Sequence, residues 1–128
     1  MDVSKYKEAP TIMIVDDSVF MRNMLHTMLD VSGYNIVAEA NDGSDAVLKS
    51  KELSPEIIFM DVLMPIKNGI DATKEILAFD KNVKIVMCSS LGHEDLIKVA
   101  LETGARDVVL KPYKNDQLQE VLHRIKQY

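Results

Sequence analysis

The chain has a single cysteine, no tryptophan, few glycines and prolines, and no apolar run approaching the roughly 18 residues of a membrane span. Each shortage excludes something. One cysteine, Cys88, cannot close an internal disulfide, and its place inside the run KIVMC (84–88) predicts a small buried hydrophobe instead of a redox or zinc ligand. The amino end, MDVSKYKEAP, has no apolar core of a signal peptide, which with the missing span places the expected location in the cytoplasm. Positive charge is in deficit: the formal net charge is -5, and Lys and Arg are dispersed. A phosphate-tracking basic face is therefore not expected, nor is nucleic acid as a direct partner. Low-complexity segments are absent, and 128 residues fit one domain, expected over 1–128 with its core at about 10–127.

What is present is alternation. Five short apolar runs, TIMIV (11–15), NIVAEA (35–40), EIIFM (56–60), KIVMC (84–88) and DVVL (107–110), are mostly continuous, the pattern of strands covered on both faces. Between them lie helical spacings. Met21, Met24, Leu25, Met28 and Leu29 form a stripe after Ser18, stopped at Gly33, and Leu96, Ile97, Ala100 and Leu101 form another, closed by Gly104. Leu118, Val121, Leu122 and Ile125 follow a cap expected at Asn115 or Asp116. Two weaker helices are predicted at about 44–53, opening at Ser44, and about 68–79. Five βα repeats call for an α/β fold: a doubly wound, five-stranded parallel sheet in a three-layer sandwich.

In such a sheet the functional crevice lies beyond the carboxyl ends of the strands. Asp16 and Asp17 follow the first strand, Asp61 the third, Ser89 and Ser90 the fourth, and Lys111 the fifth. If those strands are neighbours, three carboxylates, a hydroxyl and an ammonium share one edge. Carboxylates held together repel, so protons or a cation must join them, and a hard divalent ion, Mg²⁺ above all, suits oxygen ligands. With Lys111 and the Ser89 hydroxyl supplying positive charge and a donor, an aspartyl-phosphate is chemically sensible there.

Each residue alone has an ordinary structural use. Asp17 or Ser18 can cap the first helix, Ser90 the fourth, and Asp61 and Lys111 can be turn and surface residues. It is their joint placement at successive strand ends that argues for a site. The methionines at 21, 24 and 28 read as core, and His26, His93 and His123 as surface residues without ligand spacing.

The segments IMIVDDS, FMDVLMP, IVMCSS and VVLKPY together resemble the receiver domain of response regulators, over nearly the whole chain and most nearly its single-domain chemotaxis members. The resemblance implies a flavodoxin-like (βα)5 fold with strand order 2-1-3-4-5. It implies that Asp61 is the phospho-acceptor for a histidine kinase, and that Asp16, Asp17, Asp61 and the backbone carbonyl of Leu63 hold Mg²⁺. Ser89 takes the place of the switch hydroxyl, with Ser90 beside it, Lys111 that of the phosphoryl-pairing lysine, and the Lys111–Pro112 bond is expected to be cis. Self-phosphorylation and self-dephosphorylation would then be its only chemistry, not turnover as an enzyme.

Two departures stand out. Val108 occupies the fifth-strand position where many relatives carry a mobile Tyr or Phe, so the signal is expected to pass through Ser89 and the loop 90–93. Leu63 and Leu91 flank the expected path of the hydrolytic water and cannot orient it by hydrogen bonds, which predicts slow autodephosphorylation. A haloacid dehalogenase-type phosphatase would need a second Asp two residues beyond its nucleophile, and a flavodoxin-type cofactor binder a Ser/Thr/Gly-rich first loop; neither is here. With no output domain expected, a monomer would signal through protein contacts on a face at about 93–127. The expected partner is the flagellar motor switch, with a phosphatase possible in support; the alternative is a phosphorelay intermediate passing phosphoryl to another histidine protein.

Overall fold

The computed structural model describes residues 9–126; the amino end as far as residue 8, read above for a signal peptide, and residue 127 of the expected core and signalling face lie outside the described residues. Five strands, β1 (Thr11–Val15), β2 (Asn35–Ala40), β3 (Ile57–Asp61), β4 (Lys84–Ser89) and β5 (Asp107–Leu110), pair in parallel in the order β2-β1-β3-β4-β5. Five helices alternate with them: α1 (Val19–Val31), α2 (Gly43–Leu53), α3 (Gly69–Phe79), α4 (Glu94–Thr103) and α5 (Asn115–Ile125).

Because successive strand residues point to opposite faces, each apolar run feeds two cores. Met13, Val15, Ile58, Met60, Ile85 and Met87 meet Ala46, Ile76 and Ala100 of α2, α3 and α4. Ile12, Ile14, Phe59, Val86 and Cys88 meet Leu25, Leu29, Leu118 and Leu122 of α1 and α5. The continuous runs are thus explained by helices on both faces. The methionines at 21, 24 and 28 are only partly buried, packed at the margin of the α1/α5 core around Leu25 and Leu29.

The element boundaries differ from the sequence reading in informative places. Asp61 and Ser89 are the last residues of β3 and β4, not the first after them, so both are held in the ladder, and Asp61 stands opposite Cys88. Asp42, not Ser44, caps α2, accepting from the Asp45 N–H at 2.8 Å. Helix α5 begins at Asn115 itself, with Lys114 at the cap position and no side-chain cap. Ser18 caps α1 by accepting from the Met21 N–H at 3.2 Å, and His93, not Ser90, precedes α4.

One glycine decides how close the site lies to α3. A Cβ at Gly69 would stand 2.0 Å from the Asp61 carbonyl oxygen, so only glycine lets α3 start against the end of β3. The Gly69 N–H donates to the Val62 carbonyl at 2.9 Å and closes the intervening loop.

Candidate functional site

Adjacent placement of β1, β3, β4 and β5 brings the strand-end residues together. Asp16 extends the β1–β2 ladder by one bond, its N–H donating to the Ala40 carbonyl at 3.0 Å. Its Oδ1 accepts from the Ser18 N–H at 2.9 Å, which fixes the carboxylate at the mouth of α1. Its Oδ2 receives Lys111 Nζ at 2.6 Å, and the same ammonium stands 3.3 Å from Asp61 Oδ2. Carboxylate oxygens of Asp16, Asp17 and Asp61 lie within 4.8 Å of one another. Asp16 and Asp61 are buried and Asp17 is exposed, so the cluster has two rooted members and one facing solvent.

One ammonium does not balance three carboxylates. Burial lifts the Asp61 carboxyl from its usual value to about 6, with Lys111 pulling it down and Asp16 pushing it further up. Lys111 loses basicity to burial, but the hydrogen bond to Asp16 and the charge of Asp61 outweigh this and leave its pKa raised, so it stays an ammonium. Three hard oxygen donors with unmet negative charge could hold a metal ion.

The other expected residues divide. Ser89 is buried one residue beyond Cys88, the partner of Asp61, and its hydroxyl donates to the Ser90 carbonyl at 3.1 Å with His93 Nδ1 at 3.5 Å. The Lys111 N–H donates to the Ser89 carbonyl at 2.8 Å, tying the end of β5 to β4. Leu63 lies two residues beyond Asp61, and its side chain and those of Leu91 and Ser90 are exposed. The Lys111–Pro112 peptide is cis. Val108 is not part of the cluster: it packs, half-buried, against the α2/α3/α4 core. Cys88 is buried as expected, its thiol pushed up to about 12 by burial and therefore unreactive.

Sequence reasoning missed a second polar group beside the first. Arg22 Nη1 donates to the Asp16 carbonyl at 2.6 Å, and its Nε lies 3.4 Å from Glu39 Oε1. His26, read as a surface residue without ligand spacing, meets Glu39 Oε2 at 3.0 Å. Arg22 sits one turn inside α1 and Glu39 on an edge strand, a pairing between elements that no local spacing could announce.

The family model for the response regulator receiver domain matches residues 12–123. The chain is 43% identical over 114 residues to the chemotaxis protein CheY of Thermotoga maritima, covering 89% of this chain and 95% of that one. It is 41% identical over 116 residues to CheY of Bacillus subtilis, covering 91% and 97%. Among solved structures, it is similar to the CheX-CheY-BeF3-Mg complex from Borrelia burgdorferi, with 34% identity, a TM-score of 0.83 and 96% of each chain covered. A matching motif set, strand order and relatives of nearly equal length agree: the chain belongs to the response regulator receiver domain family.

Proposed function

We propose that this receiver domain takes a phosphoryl group from a histidine kinase onto Asp61 in a Mg²⁺-dependent step, and that the modification switches a protein contact in chemotaxis signalling. The observation that carries the reading is Asp61 at the end of β3, 3.3 Å from the Lys111 ammonium and clustered with Asp16 and Asp17. An Asp61 carboxylate oxygen forms the new P–O bond as the P–N bond of the donor phosphohistidine breaks, and the departing imidazole nitrogen takes a proton from water. Asp16, Asp17, Asp61 and the Leu63 carbonyl would hold Mg²⁺. That ion, when bound, neutralises charge on the phosphoryl oxygens.

The chain's own residues do the rest. Lys111 already touches both buried carboxylates and can turn to a phosphoryl oxygen without leaving the site. Ser89 holds its hydroxyl on Ser90, so engaging a phosphoryl group means releasing that bond and pulling on the loop toward His93 and α4. With Val108 in place of an aromatic side chain, this loop carries the signal to the α4–β5–α5 face. Likeness to chemotaxis relatives supports the signalling role; the flagellar motor switch is the target in this reading, and the protein acts in the cytoplasm. Leu63 and Leu91 leave the attacking water without side-chain hydrogen bonds, so the phosphorylated state is long-lived.

Incubation with labelled acetyl phosphate, with and without Mg²⁺, tests the chemistry. Metal-dependent, base-labile label that Asp61→Asn abolishes is expected. A folded, Mg²⁺-binding protein that takes no label would overturn the reading.

A further inference from the structure

Beside the acidic cluster lies a polar group that phosphoryl transfer as described does not use. Its hub is Glu39 on β2. The carboxylate meets Arg22 Nε at 3.4 Å and His26 Nδ1 at 3.0 Å, and its backbone carbonyl accepts from Lys49 Nζ at 2.5 Å. Lys49 in turn pairs with Asp45 at 2.9 Å. The path out of this hub leads to the site: Arg22 spends its Nη1 on the Asp16 carbonyl at 2.6 Å, with only 17% of its side chain exposed.

Asp16 is therefore gripped on both sides of its backbone. Its N–H is held by Ala40, the residue after Glu39, and its C=O by Arg22, whose other end is held by Glu39. That carbonyl belongs to the peptide joining Asp16 to Asp17, so its orientation sets the relative aim of the two acidic side chains. A single guanidinium suits this because its donors are fixed in one plane, so that holding Nε on Glu39 sets the direction of Nη1, whereas an ammonium's rotatable donors impose no such fixed relation.

We propose that Arg22, braced by Glu39, is a positioning residue for the divalent ion, holding the Asp16–Asp17 peptide in the orientation that lets both carboxylates face Asp61. The proposal rests on the reading of those three aspartates as the ion site. It makes a prediction opposite in sign to the simplest electrostatic one. A guanidinium near a cation site repels the cation, so deleting its charge alone would tighten Mg²⁺ binding. Deleting a positioning hydrogen bond weakens it.

The experiment is a Mg²⁺ titration of the whole chain followed by amide chemical shifts and by calorimetry, for wild type, Arg22→Met and Arg22→Lys. Arg22→Met is expected to bind Mg²⁺ about tenfold more weakly, the scale of losing one charge-assisted hydrogen bond. Arg22→Lys, keeping the charge but not the rigid planar fork, is expected to weaken binding as well, and it carries the test if Arg22→Met does not fold. The Mg²⁺ midpoint for labelling by acetyl phosphate should shift in parallel. Unchanged or tighter Mg²⁺ binding in a folded variant overturns the proposal while leaving the phosphorylation reading intact. No Mg²⁺ binding by wild type overturns both.

Discussion

At the carboxyl ends of β1 and β3 the character of the chain changes across one peptide bond. Ile12 to Val15 and Ile57 to Met60 are at most 3% exposed, and the next residues, Asp16 and Asp61, are still only 2% and 9% exposed but carry carboxylates. Strand interiors and strand ends share the same burial and ladder but act oppositely. In the interior, removal from water is the stabilising force; at the ends it is a cost that the fold carries because the chemistry requires it. Burial by itself therefore says nothing about whether a position stabilises.

The largest effect separating the two regions should come from the interior. Phe59, fully buried between β1 and β4 and packed toward α1 and α5, loses its ring in Phe59→Ala, and about 3–5 kcal/mol of stability is expected to go with it. Urea denaturation would report this as a lower midpoint at unchanged slope. A loss under about 1 kcal/mol would mean that the sheet interior is not the source of stability that its burial suggests.

At the strand end the sign should reverse. The folded-state pKa of Asp61, raised by burial to about 6, lies above its usual 3.8, so the folded protein binds the extra proton first. Stability contributed by this group therefore falls as pH rises from about 4 to 6, and the cost is fully present above that window. In chelator, Asp61→Asn should be more stable than wild type at pH 7 by about 1–2 kcal/mol, a figure reduced from the full shift for solvent screening. The gap should close as pH falls through 6 toward 4. A variant less stable than wild type at pH 7 would show that Lys111 more than compensates the buried charge.

This division explains what the sequence revealed. Four continuous apolar runs announced strands covered on two faces, and the polar residues that ended them stood out because they broke those runs. Local signals failed where placement depends on something distant. The second helix is expected to open at Ser44, but Gly43 already belongs to it, its backbone lying against Lys67, whose carbonyl accepts the Gly43 N–H at 2.9 Å. A cap is expected at Asn115 or Asp116, yet α5 starts without a side-chain cap, just after Tyr113, which is buried in the same core as Leu118. Arg22 and Glu39 were invisible as a pair because their meeting is a product of the β1–β2 pairing.

The smallest expected effect concerns the loop after β3, where the cost is of a third kind. Ile66 is a β-branched residue at φ 68°, with the Lys67 N–H donating across it to the Pro65 carbonyl at 2.7 Å, a tight three-residue turn. Left-handed backbone crowds the Cβ of a branched side chain, and no packing offsets this, since Ile66 is 83% exposed. The turn is imposed from both ends: Asp61 is fixed in the ladder, and Gly69 is pressed against its carbonyl, leaving few residues in which to reverse. Asn tolerates this conformation through its short polar side chain, so Ile66→Asn is expected to stabilise the protein by about 0.5–1 kcal/mol. A raised urea midpoint at unchanged slope is the measurement. Because nothing buried is removed, a lowered midpoint would mean that the isoleucine makes an apolar contact across the mouth of the site, and the loop would then belong with the strand interiors and not with the strand ends.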